Sequence, residues 1–146
     1  MKIFAKKFAR DNRGSSAIEF SLLAVPFLLL IFGTMEFARI LWTREVLKQV
    51  ATAGARCMGI TQPECGSGAT TDSASSTAFV IAEAGRRTLV LTNSNVTVNG
   101  AATCGTITGF SQVTLAYTYR PILPILIPAL GSAVTLNASS CFPNQT

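Results

Sequence analysis

Histidine is absent from all 146 residues, which removes the commonest general base and the commonest zinc ligand. Charged residues supply only 13 % of the chain, and beyond residue 43 the acidic ones are Glu45, Glu64, Asp72 and Glu83 alone. No C-x-x-C pair occurs, so four cysteines without a histidine do not read as a zinc site. Gly66-Ser67-Gly68 is followed by Ala69-Thr70-Thr71 rather than by Lys-Thr and a helix, so there is no glycine loop shaped to cradle a phosphate. Together these gaps argue against an enzyme and against a metal or cofactor.

What the chain has in excess is apolar side chains, at 49 %, a proportion that directs attention to a membrane segment. Phe20 through Met35 runs sixteen residues without a charge, a length of about 24 Å as a helix, somewhat short of a hydrocarbon core of roughly 30 Å. Ala17 and Ile18 extend it on one side, and Phe37, Ala38, Ile40, Leu41 and Trp42 on the other. Glu36 and Arg39, at i,i+3 spacing, are expected to pair while snorkelling outward, and Trp42 suits the lipid–water interface.

The net charge of +5 is concentrated at one end: Lys2, Lys6, Lys7, Arg10 and Arg13 face only Asp11 within residues 1–14. A basic cluster can mark nucleic-acid binding, but placed directly before an apolar run it marks the cytoplasmic flank of a membrane helix, and no nucleic-acid partner is expected. The expected organisation is a basic cytoplasmic leader at 1–14, a transmembrane helix at 15–42 and a head outside the cytoplasm at 43–146. Cys57, Cys65, Cys104 and Cys141 all follow the span, and an even count on that side points to an oxidising compartment. Ala51-Thr52-Ala53 has the small side chains of a signal-peptidase site, yet it lies too far on, behind Arg39, Arg44, Glu45 and Lys48.

An ordinary signal anchor would satisfy the same hydropathy, and Glu19 decides between the readings. A carboxylate in a membrane helix costs roughly 2.5–3.5 kcal/mol at the bilayer centre on insertion scales, so it needs a reason or a partner. Gly14-Ser15-Ser16-Ala17-Ile18-Glu19-Phe20 places it five residues after a glycine, behind a basic leader and at the mouth of the apolar run. This resembles the type IV prepilin processing site, at which a membrane aspartyl peptidase cuts after the glycine. The resemblance implies Ser15 as the mature N-terminus, and a glutamate that meets the freed amino group of a neighbouring subunit and sets register more than it stabilises. Gly14 has no side chain to obstruct a protease cleft.

The resemblance sharpens along Asn12-Arg13-Gly14-Ser15, Ala17-Ile18-Glu19-Phe20, Phe32 to Arg39, Trp42-Thr43 and Ala51 to Arg56, which look like the TadE-like family of tight adherence (Flp) pilus systems in order and spacing. Val113 to Pro121 and Val134 to Ser140 look similar more loosely. Major Flp pilins share the processing site but are shorter and usually carry Tyr where Phe20 stands; TadG-like relatives carry a much larger adhesion domain, and a TadF-like role stays open. What the resemblance implies is a minor pilin or pseudopilin without catalytic activity, anchored in the bacterial inner membrane with a periplasmic head. Its partners would be prepilin peptidase, other pilus subunits or assembly-platform proteins, and the lipid bilayer. An uncleaved, signal-anchored periplasmic binding protein is the alternative.

The head reads as α+β of the pilin kind. Thr43 to Met58 continues the helix outward, and Ala51, Ala53, Gly54 and Ala55 make a small-residue face that another backbone could approach; with Gly33 it is expected to serve helix packing. Gly59 to Asp72 is a loop, after which Asp72 or Ser73 caps a second helix expected over 75–91. Val96 to Val98, Gln112 to Tyr119 and Ala133 to Ala138 read as strands of a three- to four-stranded antiparallel sheet. Pro121 to Leu130 is too broken by proline to cross a membrane and too apolar for a free loop, so it is expected to pack, against the core or against a subunit or membrane surface. Four cysteines allow three connectivities; bridges Cys57–Cys65 and Cys104–Cys141 are favoured by position.

Overall fold

The computed structural model describes residues 15–67, 70–122 and 133–145. The basic leader with Gly14, and Leu123 to Leu130 of the proline-rich run, lie outside the described residues.

One helix, α1, runs from Ser15 to Gly59 without a break. At 1.5 Å per residue it is about 68 Å long, more than twice the hydrocarbon thickness of a bilayer. Pro26 lies inside it, and the residues that follow, from Phe27 to Ile60, include no further proline. After α1 come a short ribbon of β1 (Gly66–Ser67) and β2 (Thr70–Thr71), then α2 (Ser73–Arg86) and a 3-10 turn at Asn93–Asn95. Strands β3 (Val96–Cys104), β4 (Ile107–Tyr119) and β5 (Val134–Pro143) form a three-stranded antiparallel sheet in sequential order.

The sheet has one dry face. Along β4, Ser111, Val113, Leu115 and Tyr119 are buried while Ala116 and Thr118 are exposed, the period-2 alternation of a half-covered strand. The outer half of α1 lies across that face, packing on β4 and β5, with α2 along its flank. Val46, Leu47 and Val50 of α1, Val80 and Ala84 of α2, and Val113, Leu115, Leu136 and Ala138 of the sheet form one core.

Several boundaries differ from the sequence expectation. The second helix ends at Arg86 rather than at residue 91, because Thr88 takes a left-handed conformation (φ 62°) and Leu89 N–H donates to Ala84 C=O at 3.0 Å. This is a Schellman-type closure. Leu89 and Leu91 are then both buried with Val90 exposed between them, a spacing of two that only an extended chain provides. Strands β3 and β4 are longer than expected because they meet in a tight hairpin at Gly105, where φ is +67°. β5 runs on to Pro143 because its pairing with β4 continues to Phe110.

The cysteines close two disulfides, Cys57–Cys65 and Cys104–Cys141. The first ties the end of α1 to the β-ribbon; the second joins the end of β3 to β5. At the carboxyl end Asn144 donates from Nδ2 to Gly100 C=O at 2.8 Å and accepts from the Ser111 hydroxyl at 2.7 Å.

Candidate functional site

The apolar side chains in the first twenty-odd residues of α1 lie bare. Ile18, Phe20, Leu22, Leu23, Val25, Phe27 and Leu30 are all exposed, and an 18-residue window of mean hydropathy 2.1 is 0 % buried. Water would charge about 25 cal/mol per Å² for such a surface, whereas residues 16–35 span about 30 Å, the thickness of the hydrocarbon core. Among the described residues this is the one helix long and apolar enough to cross a membrane. Ser15, Glu19 and Phe20 all lie on α1, and Glu19 and Phe20 are at exposed positions. Gly33 falls in the bare half, and a Cβ added there would meet nothing within 4 Å.

The small-residue face of α1 lies elsewhere and is occupied by the chain itself. Ala51 and Ala55 are fully buried in the head. A Cβ on Gly54 would stand 2.5 Å from Val80 Cγ2 and 3.3 Å from Val113 Cγ2. The close backbone approach expected at this face is made by α2 and β4 of the same molecule. The physical reason is that a second helix and a sheet must both reach the same stretch of α1, and only alanine and glycine leave room for both.

Glu36 departs from the sequence expectation. Its carboxylate does not snorkel outward; the residue is 4 % exposed and turned into the head. Oε1 accepts from Tyr119 Oη at 2.8 Å and from the Ile122 backbone N–H at 3.0 Å, while Oε2 faces Arg39 Nη1 at 3.5 Å. Strand β4 brings this about: Tyr119 is its last residue, on the core face of the sheet, and the chain turns past Pro121 immediately afterwards. Burial, and then the hydrogen bond to Glu36, push the Tyr119 hydroxyl above the usual tyrosine range. The head thus grips α1 from Glu36 onward, before residue 43. Nothing in the spacing of Glu36 and Arg39 could signal this, since the partners lie more than eighty residues away.

Among the described residues no three His, Cys, Asp or Glu side chains converge on one point, and all four cysteines are bonded to one another. The arrangement is that of a bare apolar stalk carrying a disulfide-stapled head. Residues 14–56 match the family model described as TadE-like protein. No curated protein and no solved structure matches the chain.

Proposed function

From the TadE-like sequence carried by residues 14–56, we propose that the chain is a minor pilin or pseudopilin that acts structurally in assembly of a tight adherence pilus. Prepilin peptidase cuts after Gly14, Ser15 becomes the mature N-terminus, and the bare half of α1 holds the product in the bacterial inner membrane. Residues 1–14 lie in the cytoplasm and residues 43–146 form the periplasmic head. Other pilus subunits or assembly-platform proteins are its partners, and the protein performs no catalysis.

The observation that carries this reading is the position of the family match on the helix. The family match starts at Gly14, and Glu19, five residues on, lies in α1 ahead of a long exposed apolar run. A free amino group at Ser15 of one subunit and the Glu19 carboxylate of another would neutralise each other in a medium where either alone is costly. With Ala51 and Ala55 committed to the head, lateral packing between subunits falls to the bare half of α1, where Gly33 lets a neighbouring helix come close.

The test is the N-terminus of the mature protein, read by intact mass and N-terminal peptide sequencing from hosts with and without prepilin peptidase. A start at Ser15 that depends on the peptidase is expected. A start at Met1 in both would leave an uncleaved, signal-anchored periplasmic binding protein.

A further inference from the structure

A cleft opens where α1 leaves its bare apolar half. It has a volume of about 480 Å³ and is lined by Arg39 and Trp42 of α1, by Arg87, Thr88 and Leu89 after α2, and by Tyr117 and Tyr119 of β4. Both of its charged lining residues are arginines. Glu36 and Glu83 stand behind them: Oε2 of Glu36 faces Arg39, and Oε1 of Glu83 receives Nε and Nη2 of Arg87 at 3.2 and 3.0 Å. Gln49 takes Nη1 of the same guanidinium. Neither glutamate lines the cleft. The guanidinium of Arg87 is therefore oriented in advance, while the Arg39 side chain stays about half exposed (49 %) with one long contact to Glu36.

The height of this cleft along the helix is what gives it a ligand. Arg39 and Trp42 lie four and seven residues beyond Met35, about 6 and 10 Å past the end of the apolar run. Polar headgroups occupy the outer 5–7 Å or so of each bilayer face. Trp42 is 69 % exposed, as is expected of an aromatic side chain at the lipid–water boundary. Arginine forks match the oxygens of a phosphodiester geometrically, and an aromatic wall beside them suits the carbons of the headgroup.

We propose that this cleft binds the phosphate of an anionic phospholipid in the leaflet from which α1 emerges, with Arg39 and Arg87 on the phosphate and Trp42 beside the headgroup at its outer edge. The proposal rests on the reading that α1 crosses a bilayer. It would fix the depth at which the head rides on the membrane, since the same cleft touches the stalk, the end of α2 and the sheet.

Trp42 is the sole tryptophan of the chain, so its fluorescence reports this cleft alone. The full chain is reconstituted in phosphatidylcholine vesicles containing an equal, minor fraction of either acyl-brominated phosphatidylglycerol or acyl-brominated phosphatidylcholine. Quenching is expected to be at least twofold stronger with the anionic lipid. That preference should fall to the zwitterionic level in the Arg39→Gln/Arg87→Gln variant. Should the double variant lose its fold by circular dichroism, Thr88→Asp serves instead. It adds a carboxylate to the cleft wall at a position whose left-handed backbone aspartate tolerates, and it too should abolish the preference.

Equal quenching by the two lipids in the native chain, or a preference that survives the folded variants, overturns the proposal. Loss of the preference in the presence of millimolar glycerol phosphate also overturns it, by making the site one for a soluble phosphate. Absence of quenching by either lipid instead strikes the membrane reading itself.

Discussion

Glu36 carries the most consequence of any single residue, because its buried carboxylate accepts two hydrogen bonds from the far end of the head, from the Tyr119 hydroxyl and the Ile122 N–H. Hydrogen bonds to a charged group contribute roughly 1.5–3 kcal/mol each, and stranding one partner costs the desolvation of the other. Tyr119→Phe is therefore expected to lower stability by about 2 kcal/mol, and Glu36→Ala by about 3 kcal/mol or more. Thermal unfolding of the detergent-solubilised protein checks both, and a double variant losing clearly less than the sum would establish that the two act through one contact. Because the Tyr119 hydroxyl is raised above its usual value, its contribution is fully present below about pH 10 and is lost as pH rises through the folded value. Gly54 is the other sensitive position. Alanine there gains about 1 kcal/mol in helix propensity, but its methyl would need Val80, fully buried and stiff, to move from a 2.5 Å approach. Overpacking of that kind costs about 1–3 kcal/mol, so Gly54→Ala is expected to lower the melting temperature rather than raise it.

Among the elements, α2 shows most plainly which local signals govern its limits. Its start was readable: Asp72 caps it, Oδ2 accepting the Ser75 N–H at 2.8 Å and the Ser75 hydroxyl at 2.7 Å. Those bonds, backbone first, hold the Asp72 carboxyl below the usual carboxylate range. A depressed value stabilises the fold above the unfolded value near 3.8 and is lost as pH falls through the folded one. Asp72→Ala is thus expected to melt below the native chain at neutral pH, with the gap closing as the pH is taken below 3; Asp72→Asn, which keeps a cap, should show a smaller gap. The end of α2 was not readable, because helix propensity continues through Thr88 and Leu89 and only the pull of Leu89 and Leu91 into the core ends it. The disulfides staple elements that share few other contacts. Removing either pair as a double Cys→Ala change should cost about 2–4 kcal/mol, read as a lower midpoint in unfolding without reductant.

At the scale of the whole molecule, α1 does two jobs in sequence: a bare half facing lipid and a buried half serving as the central rod of the head. This division explains why one helix carries opposite surface chemistries, large exposed side chains up to Met35 and alanine and glycine from Ala51 to Ala55. Fusing stalk and head in one unbroken helix means that any pull on the membrane half is transmitted to the sheet. Glu36 to Tyr119 is the first fastening in its path. Replacing Glu19 by alanine is expected to leave accumulation and disulfide formation intact while pilus assembly fails, measured by immunoblot and by counting surface fibres. A head that misfolds in this variant would instead place Glu19 among the folding determinants.

The sequence by itself determined the apolar span, the basic leader, the α+β composition of the head and the Gly14–Glu19 spacing, because each depends on residues within one or two helical turns or along one strand. It also carried the TadE-like resemblance, which lies in the same local stretch. What only the tertiary structure decided were the relations between distant segments: that Ala51 and Ala55 serve the chain's own core, that α2 stops at Arg86, and that Glu36 turns inward to Tyr119 and Ile122. Those outcomes depend on which surfaces compete for the same side of α1. That competition is resolved only when strands some eighty residues further on fold back against the helix and exclude water from it.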